Sequence, residues 1–150
     1  MPPGTGDIQL TLSQSSPLTG AVVVTTPQDI ALIDAKKGLK MFEKVNVPLL
    51  GIVENMSVFI CPCCGEVTYI FGEGAAKRMS EQYGVPMLGE LPLSPAIREA
   101  ADSGRPTVAA EPESAAAKMY RAIAMKIAGS IAKLGKDYTA RMPTISVKND

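Results

Sequence analysis

The chain has 150 residues, 46% of them hydrophobic, with fifteen basic and fifteen acidic side chains that cancel and no histidine. Length and apolar content fit one globular domain with a real core, and balanced charge without a dense Lys/Arg cluster gives no electrostatic reason to expect nucleic acid or an anionic membrane as partner. The missing histidine excludes a Ser-His-Asp triad, an imidazole general base and any His-ligated metal, so chemistry must rest on thiols, carboxylates, lysines or backbone dipoles.

The chain opens on MPPGTGD, a Pro/Gly loop with no strand before it. By its residues it reads first as a turn, and alternatively as a loop whose glycine N–H groups approach an anion. DIQLTLSQSS (7–16) follows as a short helix with Ile8, Leu10 and Leu12 facing inward. GAVVVTT (20–26) is a continuous β-branched run, the pattern of a strand buried on both faces in a parallel sheet. The next segment, 27–45, reads as a helix with Leu32, Ala35, Leu39 and Phe42 in one apolar stripe. VPLLGIVEN (47–55) is a second buried strand, and a cysteine loop follows at 59–72. A helix over 73–84 places Ala76, Met79 and Tyr83 on one face and stops at Gly84. VPMLGELPL (85–93) is a third strand. SPAIREA starts a helix with Ser94 at the N-cap and Pro95 in the first turn. SGRPTVAAEP is a loop, 113–135 is a long helix with Tyr120, Ile123, Ile127, Ile131 and Leu134 in a stripe, and 136–150 is an aperiodic tail expected to be flexible. No run is long and apolar enough for a membrane span, and no basic-then-apolar leader occurs, so a cytoplasmic chain is expected.

Strands of the buried type separated by helices predict a right-handed parallel α/β sheet. Three strands make that sheet thin. A neighbour is expected beside residues 22–24, and none is present in this sequence.

All three cysteines lie in CPCC, at 61, 63 and 64. Cys61 and Cys64 have C-x-x-C spacing, a tight turn that aims two sulfurs at one ion, with Gly65 free to take the positive φ that follows. Cys63 is expected to point away from that shared direction. A thioredoxin-like redox pair needs C-x-x-C at the start of a helix, and that context is absent. A structural zinc site and an iron–sulfur cluster each want four ligands, more than one chain offers. Two sulfurs per chain become four across a two-fold axis, so cluster, zinc and inert thiols all remain open at this point.

The ordered array of MPPGTGDIQLTLSQ, GAVVVTTPQDIALIDAKKGLKMF, GIVENMS, the Cys-x-x-Cys-Gly knuckle, IFGEGAAKRMSE and LGELPLSPAIREAADSGRP resembles the Mrp/ApbC family of iron–sulfur cluster carriers. These are MinD-like, deviant Walker A P-loop ATPases. The resemblance runs from residue 1 to about 134 and implies a parallel-sheet P-loop NTPase fold. It also implies a 4Fe–4S cluster held between the Cys61 and Cys64 pairs of two subunits, with Cys63 a spare or merely small residue. By the same resemblance Gly4 and Gly6 face the γ-phosphate, Asn55 reads the adenine edge, Pro92 packs along the base, and ATP with Mg²⁺ drives the intact protein. The function implied is assembly of a cluster in a homodimer and its transfer to apo-proteins. Family members begin with a lysine-bearing glycine-rich loop, and no G-x-x-x-x-G-K-S/T occurs here. The expectation is therefore residues 1–135 as the C-terminal part of the domain, incomplete at the N-terminus, with no ATP hydrolysis by this chain alone. Asp7 and Asp29 are read as a loop-closing residue and a first-turn acid. The rival readings are a MinD- or ParA-like positioning ATPase and a zinc-bound interaction module.

Overall fold

The computed structural model describes residues 18–134, together with Thr11. Apart from Thr11, which is helical, the expected helix at 7–16 lies outside the described residues, as do Gly4, Gly6, Asp7 and the tail at 136–150. The strands and helices alternate as the hydrophobic pattern predicts. Strand β1 (Ala21–Thr25), helix α1 (Asp29–Lys44) and strand β2 (Leu49–Glu54) come first. Two short strands follow, β3 (Phe59–Ile60) and β4 (Val67–Thr68), then helix α2 (Ala75–Tyr83) and strand β5 (Met87–Glu90). Helices α3 (Pro95–Asp102), α4 (Thr107–Ala110) and α5 (Ala115–Lys133) complete the described chain.

The main sheet is parallel, in the order β1-β2-β5. Its register sets Val23 beside Ile52, Thr25 beside Glu54 and Val53 beside Gly89. Successive strand residues face opposite sides, so the apolar runs feed two cores. On one face Val23 and Ile52 pack with Leu32, Ala35 and Leu39 of α1 and with Ala76 and Met79 of α2. On the other, Val53, Leu88 and Leu91 pack with Ile123 of α5. Helices on both sides of a parallel sheet are the α/β arrangement expected. Gly89 lets α5 seat closely, because a Cβ there would lie 2.6 Å from Cγ1 of Ile123. Lys126 of α5 also donates to the Leu88 carbonyl at 2.7 Å.

Several local expectations shift. At the end of α1, Met41 is buried and Phe42 only half-buried, because the chain folds back over the last helical turn and Val47 N–H bonds the Phe42 carbonyl at 2.9 Å. Gly84 ends α2 in the left-handed region, with Val85 N–H returning to the Ser80 carbonyl. Ser94 holds the N-cap position of α3 but makes no side-chain capping bond, whereas Ser114 Oγ accepts Ala117 N–H at 3.1 Å and caps α5. Tyr120 and Ile127 of the α5 stripe pack on the core, but Ile131 and Leu134 are exposed. The segment 103–112, read as loop, contains the four-residue α4. No helix among the described residues is long and apolar enough to cross a membrane.

Candidate metal centre

Ligands of parallel α/β sheets bind beyond the carboxyl ends of the strands, and Asn55 and Pro92 lie there on neighbouring segments. Asn55 follows β2 directly, and its N–H bonds the Thr25 carbonyl at the end of β1 at 2.7 Å. Beyond β5 the chain at 91–93 runs alongside 54–59. Leu91 N–H donates to the Glu54 carbonyl at 2.8 Å, Ser57 N–H to Leu91 at 3.0 Å, and Leu93 N–H to Val58 at 2.8 Å. A parallel bridge joins Phe59 to Leu93. Asn55 and Pro92 therefore sit on neighbouring, hydrogen-bonded segments, both half-buried. The Asn55 side-chain oxygen accepts Met56 N–H at 2.9 Å, and Met56 itself has φ +56°, a left-handed conformation uncommon for a side chain of its size.

From this root the chain rises into a hairpin in place of the irregular loop expected at 59–72. β3 and β4 pair antiparallel, Phe59 with Thr68 and Ile60 with Val67. At the tip Cys61 N–H bonds the Glu66 carbonyl at 2.9 Å, and Gly65 N–H returns to the Cys61 carbonyl at 2.8 Å. Gly65 has φ +74°, which any Cβ would disfavour. The sequence CPCCGE is thus a turn closed by its own backbone, and it presents three free thiols to solvent, Cys61 the least exposed.

Cys61 is held below the ordinary thiol range. The backbone N–H of Cys64 is the largest cause and that of Cys63 the next, followed by the Cys64 thiol, with partial desolvation opposing and the Cys63 thiol contributing least. N–H groups converging on one sulfur stabilise its thiolate, the form that binds metal and attacks electrophiles. The Cys63 thiol is thus within reach of Cys61, where the sequence reading had it pointing away. Among the described residues no group of three or more Cys, Asp or Glu side chains is arranged to hold one ion. Soft sulfur donors short of the four that zinc or an iron–sulfur cluster takes make half a centre.

Sequence reasoning passed over Glu54. It ends the apolar run of β2, is 2% exposed, and its Oε2 accepts the backbone N–H of Ala76 at 2.7 Å. An acid closing a buried strand was the available signal, since a charged side chain is almost never buried without a partner.

Comparison with known proteins bears on this arrangement. A family model described as "ParA: NUBPL iron-transfer P-loop NTPase" matches residues 1–128. The chain is 60% identical over 131 residues to the iron-sulfur cluster carrier protein of Escherichia coli K12, an alignment covering 87% of this chain and 36% of that protein. Among solved structures it is similar to the nucleotide-binding protein of Archaeoglobus fulgidus in complex with ADP, with a TM-score of 0.64 and 41% identity over 76% of this chain and 46% of that one. It is also similar to the Pyrococcus furiosus cell division ATPase MinD, with a TM-score of 0.59 and 32% identity over 74% and 43% of the two chains. The chain spans little more than a third of the carrier protein's length.

Proposed function

The chain belongs to the ParA family of NUBPL iron-transfer P-loop NTPases, and on that premise we propose that its cysteine hairpin takes up an iron–sulfur cluster and passes it to proteins that lack one. The observation that carries this reading is the hairpin tip, where backbone N–H groups favour the thiolate of Cys61 within reach of Cys64. The cluster is cargo, and weak, shared coordination suits cargo. Cys61 and Cys64 of one chain supply two sulfurs, and the same pair on a second copy completes four around a 4Fe–4S core. Release is ligand exchange. An incoming thiolate from the recipient displaces one hairpin sulfur at a time, with no change of oxidation state required. Cys63 is the reserve ligand in such an exchange, or simply a small residue at the turn.

In this reading nucleotide lies at the carboxyl ends of β1, β2 and β5. Asn55 faces the adenine edge, Pro92 lies along the base, and Gly4 and Gly6 lie towards the γ-phosphate. The sequence contains no lysine-bearing glycine-rich loop. That loop supplies the cradle for the β- and γ-phosphates, so in this proposal the 150 residues alone do not hydrolyse ATP. A cytoplasmic homodimer handing clusters to apo-proteins completes the proposal. The positioning-ATPase alternative shares the fold, but the family match and the carrier at 60% identity favour iron transfer.

Anaerobic reconstitution with iron and sulfide tests the assignment. The chain is expected to develop visible charge-transfer absorption, and Cys61→Ala and Cys64→Ala each to abolish it, while Cys63→Ala retains it. Full uptake by both single variants would remove the hairpin from the mechanism.

A further inference from the structure

Residues 55–75 form one excursion from the sheet, and all three cysteines ride on it. Its outgoing limb is well fastened, by Ser57 N–H donating to the Leu91 carbonyl, by the Val58 carbonyl accepting Leu93 N–H, and by the bridge from Phe59 to Leu93. The returning limb is different. From Thr68 to Ile70 it is exposed, and Gly72 N–H bonds only Tyr69 within the limb itself. It is joined to the outgoing limb by the β3–β4 pairing, and where it runs into α2 the N–H of Ala76 donates to the Glu54 carboxylate at the end of β2. That carboxylate reaches the first turn of α2, which has no side-chain N-cap and no acidic residue of its own. The cap that α2 lacks locally is supplied from the end of β2, 22 residues earlier in the chain. Negative charge there complements the helix dipole, and a charge-assisted bond in a buried setting is among the stronger kinds.

We propose that Glu54 is a positioning residue for the cysteine hairpin: its carboxylate clamps the returning limb to the strand that carries Asn55 and so fixes the direction in which Cys61 and Cys64 point. What the thiols hold rests on the function proposed above. The clamp itself does not. A buried carboxylate is a costly way to secure a helix end, and Gly74, at φ +66°, leaves no ordinary place for a local capping side chain. The placement of Glu54 makes sense as a link between strand end and hairpin.

Hydrogen exchange on the metal-free 150-residue chain reads the clamp directly, and iron release to a chelator after reconstitution reads its consequence. Glu54→Ala is expected to speed amide exchange across 61–76 by about tenfold or more, the loss of one hydrogen bond to a charged group, with 21–25 and 49–53 little changed. It is expected to speed iron release by a similar factor. Glu54→Gln, whose amide oxygen still accepts Ala76 N–H but without the charge, is expected to fall between Glu54→Ala and the unaltered chain in both. If Glu54→Ala does not fold, Glu54→Asp replaces it, because a side chain one methylene shorter keeps the charge and loses the reach. Exchange that rises equally over the whole sheet, or hairpin exchange and iron release both unchanged in the shortened variants, overturns the proposal. Local exchange that follows the expected pattern in a chain that takes up no iron leaves the clamp standing and removes the cluster reading instead.

Discussion

At the scale of single residues, the chemistry concentrates on one sulfur. Cys61 receives the N–H groups of Cys64 and Cys63, and both favour its ionised form. A thiol with a lowered pKa is more fully thiolate at any pH beneath its ordinary value, so it alkylates faster there. Iodoacetamide labelling followed by peptide mapping should therefore show a half-maximal rate for Cys61 at lower pH in the folded chain than in the same chain unfolded in urea. Coincident profiles would mean that the turn does not polarise this sulfur. The cysteine pair was legible in the sequence because C-x-x-C followed by glycine encodes its own geometry within five residues. Glu54 was not, since its partner is a backbone N–H on an alanine far along the chain, and a main-chain donor leaves no mark in a sequence. Asn55 and Pro92 were visible only through resemblance, and their adjacency comes from sheet pairing between segments distant in the chain.

At the scale of elements, long periodic segments were legible and short ones were not. The stripe Leu32, Ala35 and Leu39 marks α1, and all three are buried. A β-branched run marks β1, and the apolar runs VPLLGIVEN and VPMLGELPL mark β2 and β5. β3 and β4 have two residues each, too few for a period of two to register, and α4 at four residues is shorter than a helical pattern needs. Helix ends were similarly uneven. The expected cap at Ser94 makes no side-chain bond, and the working cap of α5 is Ser114. Ser114→Ala should thus lower stability by about 1 kcal/mol, read as a shift in the urea midpoint at constant slope. Ser94→Ala should change it little by the same measurement. Equal losses at both serines would contradict the hydrogen-bond geometry at these two helix starts. α5 matters to the site indirectly. It backs the face of the sheet opposite α1 and α2 and holds β5, from which the 91–93 segment reaches the hairpin root.

At the scale of the whole molecule, the described residues form a parallel three-stranded sheet covered on both faces, with a hairpin at its carboxyl edge. The thinness of the sheet was anticipated from strand count. Among the described residues Val24 on β1, the outer strand of the order described, and Ile30 and Ile33 on α1 stay exposed, at 61%, 76% and 53%, and exposed apolar side chains of this kind favour association. On the hairpin Ile60, Val67, Tyr69 and Ile70 are exposed as well. Ile60 and Val67 are directly paired across the two strands, so they form one surface beside the tip. Self-association through the sheet edge is independent of the thiols, whereas association through the hairpin depends on them. That difference permits a decisive reading. Native mass spectrometry of the chain, reconstituted with iron and sulfide without oxygen, should show a species of two chains carrying four irons and four sulfides, lost in both Cys61→Ala and Cys64→Ala. A reconstituted chain that stays monomeric and iron-free, or that carries zinc in place of iron when isolated anaerobically, would contradict the account.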